Sequence, residues 1–247
     1  MSELKIDNPA LRLLDILEQG KRHQAAASCR DVWKALLQAQ NLYEHQLLSR
    51  LARVMELPER IEQVREDHFS SLRNKSSYWR GQVERAFTSQ SLNGRWETFK
   101  THIDERTLSE LSLLSDVFET RGTHAGIAAE EIEALLARIA ELRGEIRSAE
   151  LPLSMKTMLL RQLFKIQEAL ESYSISGIEP IMDAVQSTLG LAVIDPEYKQ
   201  EIKSGSGSKF GDRISSLLGD VANVVTVAGA LPALPAAIQS ALSLLSK

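Results

Sequence analysis

The stretch Ile214-Ser-Ser-Leu-Leu-Gly-Asp-Val-Ala-Asn-Val-Val-Thr-Val-Ala228 is the part of the sequence that says most about how the chain is built. An α-helix has 3.6 residues per turn, so this order collects its apolar side chains on one face and its Ser, Asp and Asn side chains on the other. The spacing therefore predicts an amphipathic helix. From Val221 onward the chain carries no charge until Lys247.

The chain on both sides of this helix indicates a hairpin that follows a linker. Pro232 and Pro235 lack an amide proton and clash with the preceding turn, so the first helix should stop there. A second helix is predicted from Ala236 to Leu245. Residues 204–211 are rich in Ser and Gly, which is typical of a flexible linker, with Gly205 and Gly207 as its hinge.

The apolar face of this predicted hairpin has three candidate partners: the body of the same protein, a membrane, or a groove on another protein. A membrane-spanning helix needs about 20 apolar residues, and here it would have to run through both prolines. The leading expectation is docking on a membrane surface or a partner protein. The residues expected to make that contact are Leu217, Leu218, Val221, Val224, Val225, Leu231, Leu234, Ile238 and Leu242.

The remaining apolar patterns are also helical. Asn8-Pro9 is a helix start that Gly20 should close, and Trp33 to Leu57 should form one long helix that ends before Pro58. Thr107-Leu-Ser-Glu110 has the form of a capping box. An apolar seam from Ile132 to Ile146 faces an answering stripe from Met155 to Tyr173, which predicts an antiparallel hairpin.

A third helix after Ser176-Gly177 should run from Ile178 to Leu189 and close at Gly190, and Leu191 to Ile194 is the one β-like run. The fold class is therefore all-α: a multi-helix bundle with long helices, a central helical hairpin and a C-terminal apolar helical hairpin. The predicted organisation is an N-terminal helical bundle at 1–122, the hairpin and third helix at 127–203, the linker at 204–211 and the apolar hairpin at 212–247.

One segment of the chain carries a resemblance. Leu151-Pro152 before a Leu-rich helix, Glu171-Ser-Tyr-Ser-Ile-Ser-Gly177, and a helix ending in Leu189-Gly190 resemble a segment that recurs in uncharacterised helical bacterial proteins. Some of those proteins carry apolar C-terminal helices, and such architectures occur among defence and toxicity effectors. The resemblance implies a bacterial origin and assigns no role to any residue.

The sequence shows no constellation that would carry chemistry. None of the five histidines lies in a His-Glu-x-x-His or Glu-x-x-His pattern, and the single Cys29 cannot form an internal disulfide. We therefore predict no catalytic, cofactor-binding or metal-binding residues. The first residues lack the features of a signal peptide, so a cytoplasmic protein is expected, with association with a membrane surface left open.

Charge distribution suggests two kinds of partner. Residues 104–150 carry an excess of acids, which favours self-association or a protein partner, although the whole chain has a net charge of only −4. Residues 72–100 carry an excess of basic side chains interleaved with aromatic ones, the mixture that binds single-stranded nucleic acid. The residues of that alternative interface are Arg73, Lys75, Tyr78, Trp79, Arg80, Arg85, Arg95 and Trp96.

These observations predict a non-enzymatic helical effector or interaction protein whose C-terminal hairpin is released to dock. The alternatives are a soluble scaffold or adaptor whose tail stays docked, and the nucleic-acid binder just described. An enzyme built from scattered carboxylates and His102 is a further class that spacing does not reveal.

Overall fold

The computed structural model describes residues 7–70, 77–120, 126–195, 200 and 208–227. In that part of the chain there are eleven helices and no strand, which confirms the all-α class. The chain divides into two compact units. The N-terminal unit comprises Ile6–Thr123 with Ser174–Ser176, and the C-terminal unit is built mainly from His124–Tyr173 and Gly177–Lys247.

Among the described residues, the N-terminal unit has six helices and one short segment that returns to it from later in the chain. Helix α1 packs on α3 and α6, and α4 packs on α5 and α6. The helix bounds are α1 Pro9–Arg22, α2 Cys29–Leu36, α3 Glu44–Phe69, α4 Tyr78–Ser89, α5 Glu97–Lys100, α6 Glu105–Glu119 and, ending within this unit, α9 Tyr173–Ser176.

The long helix predicted from Trp33 to Leu57 is two helices, and Pro58 does not end the second. The chain breaks after α2 at Gln38, whose φ is 50°, and Arg50 donates to the carbonyl oxygens of Leu37 at 2.7 Å and Gln38 at 3.2 Å. Pro58 lies buried inside α3. A proline in a helix removes one hydrogen bond, and burial of the apolar side of α3 offsets that cost.

An aromatic cluster fills the centre of the N-terminal unit. Trp33 is fully buried and lies edge-on to Trp96 and Phe99, with ring centroids 5.2 and 5.0 Å away. The indole nitrogen of Trp96 donates to the carbonyl oxygen of Gly20 at 2.8 Å. A Cβ on Gly20 would lie 2.9 Å from the Trp96 ring, so this glycine permits close approach and does not close α1, which continues to Arg22.

The starts of α4 and α6 are joined by polar side chains. Asp104 is the N-cap of α6 and accepts from the Thr107 amide at 2.8 Å, so the capping box predicted at Thr107 is wrong. Asp104 precedes Thr107 by three residues, the spacing at which a cap carboxylate reaches an orphan amide. Glu110 instead accepts from the backbone amide of Trp79 at 3.2 Å, and the Tyr78 hydroxyl donates to Asp104.

Replacing Asp104 should weaken this junction in a pH-dependent way. Asp104→Ala removes the cap, and we expect it to lower the free energy of unfolding by about 1 kcal/mol. The hydrogen bond from Tyr78 lowers the pKa of Asp104 below its ordinary value of 3.8. Because the folded-state pKa is the lower one, the wild-type advantage is present above the unfolded pKa and is lost as pH falls through the folded one.

Urea unfolding measured at several pH values between about pH 5 and pH 2 checks this expectation. Asp104→Asn is the matched control, because asparagine still caps a helix but does not titrate in this range. The difference between wild type and Asp104→Ala should shrink as pH falls. A difference that stays constant over the whole range would contradict the assignment.

The C-terminal unit contains four long helices that form a closed ring. Its first helix packs on the second, the second on the third, the third on the fourth, and the fourth back on the first. This is the packing of a four-helix bundle. The helices are α7 Ala129–Ser148, α8 Leu153–Glu171, α10 Glu179–Ile194 and α11 Ser208–Val227.

The predicted seam between α7 and α8 lies in the core of this unit. Leu135, Ile139, Leu142 and Ile146 are buried, and Ile132 packs partly buried beside them. The answering positions on α8 are also buried: Met155, Leu159, Leu163, Ile166 and Leu170. The central helical hairpin is therefore present as predicted.

The third helix of the unit is longer than predicted. Gly177 has a φ of 73°, a backbone conformation that favours glycine, and the helix starts two residues later. It continues through Gly190 to Ile194, so the β-like run at Leu191 to Ile194 is helical. Val185 and Leu189 pack in the core, and burial of this face outweighs the helix propensity lost at one glycine.

Candidate functional site

The candidate site is helix α11 together with the surface of α7 and α10 against which it packs. The helix begins at Ser208, so the last four residues assigned to the linker, 208–211, are helical. Phe210 explains the early start, because its side chain is fully buried in the core and fixes the first turn. The proposed hinge residues Gly205 and Gly207 lie outside the described residues.

The apolar face of α11 is packed in the hydrophobic core of the C-terminal unit. Leu217, Leu218, Val221 and Val225 are each no more than 1% exposed, and Val224 packs partly buried against the same core. The structure therefore places five of the predicted contact residues against neighbouring helices: four are buried in the core, and Val224 stays partly exposed. Their role in docking stays a prediction, and it requires α11 to separate from α7 and α10.

The remaining predicted contact residues belong to the second helix of the C-terminal hairpin. They fall in 228–247, outside the described part of the chain, and they are Leu231, Leu234, Ile238 and Leu242.

Ion pairs line the edge where α11 meets α7. Arg213 pairs with Glu145 and lies 3.4 Å from a carboxylate oxygen of Glu141. Seven residues further along α11, Asp220 pairs with Arg138, which lies seven residues earlier than Glu145 on α7. The later residue on α11 pairs with the earlier residue on α7, so the two helices are antiparallel.

The apolar contacts hold α11 more strongly than these ion pairs do. Burying one Val, Leu or Ile side chain contributes about 1.5–3 kcal/mol, and seven apolar side chains on this helix are each no more than 3% exposed. An exposed ion pair contributes about 0–1 kcal/mol and is screened by salt, and the Arg138 and Asp220 side chains are 43% and 45% exposed. The hydrogen bond that Arg213 donates to Glu145 raises the pKa of Arg213, which stays charged.

A small cleft opens at this edge between the two helices. It has a volume of about 190 Å³ and is lined by Leu142 of α7 and Leu217 of α11, with two arginines and a serine, Arg138, Arg213 and Ser216. Arg138 donates to the Ser216 hydroxyl at 3.3 Å. Spacing along the chain does not reveal this cleft, because the register that brings Arg138 beside Ser216 comes from the antiparallel packing of α7 and α11.

In the described part of the basic and aromatic segment, residues 77–100, both tryptophans lie in the core. Trp79 and Trp96 are 0% and 1% exposed, so neither indole can stack on a base while the core is intact. The ring of Tyr78 is covered by the Arg106 guanidinium at 4.2 Å. Arg80 pairs with Glu84 and Glu59, Arg85 and Arg95 are exposed, and Arg73 and Lys75 lie outside the described residues.

Cys29 and the metal-ligating residue types are the other candidates for chemistry in the part of the chain that the structure describes. Cys29 is fully buried, and burial raises the pKa of its thiol, which therefore carries no charge. Among the described residues, no group of three or more His, Cys, Asp or Glu side chains is placed to hold a metal ion. Within those same residues, no helix has both the length and the apolar character to cross a membrane.

Comparison of the chain with protein-family models, with curated proteins and with solved structures gives no match. The resemblance of residues 151–190 to helical bacterial proteins therefore stays an expectation.

Proposed function

We propose that the protein is a non-enzymatic helical scaffold or adaptor in which α11 is a permanent fourth helix of the C-terminal unit. The observation that carries this proposal is the burial of α11: Phe210, Leu217, Leu218 and Val221 are each no more than 1% exposed. A face packed to this degree is an ordinary core face. The partner of such a scaffold is another protein or a second copy of the chain.

A second candidate is the releasable helix predicted from the sequence. The observation in its favour is that the side-chain ion pairs joining α11 to α7 are all at the exposed edge, while the helix is the last element of its ring in chain order. In this version a trigger frees α11, whose apolar face then docks on a membrane surface or a partner protein. A bacterial defence or toxicity role belongs to this candidate and rests on the resemblance of residues 151–190.

Truncation after Lys203 separates the two proposals. Removing α11 uncovers the apolar sides of α7 and α10, so the scaffold proposal predicts aggregation or an unfolded C-terminal unit. The matched control is a chain that ends after Val227, which keeps α11 and removes only the residues that follow it. Size-exclusion chromatography and circular dichroism should show the control chain folded and unaggregated.

Flotation with liposomes completes the test. For the full chain the scaffold proposal predicts no protein in the lipid fraction. A well-folded, unaggregated chain of residues 1–203, together with flotation of the full chain alone, would overturn the scaffold proposal and establish the releasable helix.

A further inference from the structure

The cleft between α7 and α11 has the composition of an oxyanion site. Its floor is apolar, since Leu142 and Leu217 are 2% and 1% exposed, and its polar groups are two guanidinium groups and one hydroxyl. No carboxylate is among the five residues that line it. All of its charged lining groups are therefore hydrogen-bond donors.

The donors suit a phosphate group better than a halide or a neutral ligand. A guanidinium group presents planar N–H donors in a fixed fork, and the fork matches two oxygens of a phosphate or carboxylate. A tetrahedral phosphate has enough oxygens to accept from Arg138 and Arg213 together. The cleft volume of about 190 Å³ leaves room for such a group.

The arginines are already engaged by carboxylates, and this determines how the site would fill. Arg138 pairs with Asp220, and Arg213 with Glu145 and Glu141, so the two positive charges meet three negative ones. A phosphate must therefore replace carboxylates on the guanidinium groups and not simply add to them. Its affinity should be weak in the wild type and should rise when a competing carboxylate is neutralised.

We propose that this cleft binds a phosphate group that bridges Arg138 of α7 and Arg213 of α11. The bridge exists only while α11 lies on α7, so the ligand stabilises the docked arrangement by mass action. The binding step does not depend on the proposed function. Its consequence does rest on it: in the scaffold the phosphate strengthens the bundle, and in the releasable version it opposes release.

Thermal unfolding of the full chain in inorganic phosphate, compared with sodium chloride at equal ionic strength, tests the proposal. The expected result is a higher unfolding midpoint in phosphate, by about 2 °C or more near saturation. The shift should vanish in Arg138→Gln and Arg213→Gln and increase in Glu145→Gln. Arg147→Gln is the matched control, because this exposed arginine of α7 does not line the cleft and the shift should persist.

Phosphorus NMR gives a second readout at constant temperature, which does not depend on the stability of the variants. Phosphate line broadening should be present with wild type and Arg147→Gln and lost with the two cleft variants. Vesicles of phosphatidylcholine with and without phosphatidic acid form a separate arm. Stabilisation by inorganic phosphate identifies a free ligand, and stabilisation by phosphatidic acid vesicles alone identifies a lipid headgroup.

The proposal is wrong if phosphate raises the unfolding midpoint equally in wild type and in the cleft variants Arg138→Gln and Arg213→Gln. It is also wrong if neither source of phosphate raises the midpoint or broadens the phosphorus line. Failure of this experiment is distinct from failure of the scaffold proposal, which the truncation decides without any ligand.

Discussion

Val221→Asp should unfold the C-terminal unit. Val221 is 1% exposed and lies in the middle of α11, so the substitution places a carboxylate in an apolar core with no partner for its charge. Burial of an unpaired charge costs several kcal/mol, and we expect the free energy of unfolding to fall by more than about 3 kcal/mol. Urea unfolding followed by circular dichroism measures this loss.

Asn223→Asp is the matched control for that variant. It adds the same carboxylate to the same helix two residues away, on the exposed side. The change in free energy of unfolding should stay within about 0.5 kcal/mol. If Val221→Asp behaved like Asn223→Asp, α11 would not be a core helix, and the scaffold proposal would lose its main support.

Trp33→Ala should be the most damaging substitution in the N-terminal unit. Trp33 is fully buried, contacts the rings of Phe87, Trp96 and Phe99, and donates its indole proton to Gln90 at 2.7 Å. Truncation of a buried tryptophan to alanine costs about 3–5 kcal/mol, and here it also leaves the Gln90 amide oxygen without this donor. Urea unfolding followed by circular dichroism should show the loss.

Leu113→Ala provides the comparison, since it shortens a large apolar side chain that is 63% exposed on α6. Its free energy of unfolding should stay within about 0.5 kcal/mol of wild type. Equal effects of the two substitutions would mean that the aromatic cluster is not the packing centre of this unit.

Periodicity alone located most of the helices. The seam of α7 and the cap at Asn8 follow from local rules, because a 3.6-residue repeat and an Asn-Pro start act within one helix. The errors occur where packing outweighs a local signal. Pro58 and Gly190 lie inside helices whose buried faces offset the local cost, and Gly20 serves the ring of Trp96 and not a helix end.

The same pattern could not say what the apolar face of α11 contacts. An amphipathic helix that packs in a bundle and one that docks on a membrane have the same spacing of Leu and Val. In this structure the face packs on α7 and α10, and that arrangement depends on contacts between distant residues, such as Arg138 and Asp220, which are 82 positions apart. The cleft at Arg138 and Arg213 arises from those distant contacts too.

The ring order of the C-terminal unit has a consequence during synthesis. Because α11 closes the ring, the helices synthesised before it leave the ribosome with their apolar faces exposed to solvent. At about 5–20 residues per second, the wait from Ile194 to Val227 lasts a few seconds. In that interval the nascent chain is most open to chaperone binding and to aggregation. Codons between α10 and α11 that slow translation would lengthen the interval.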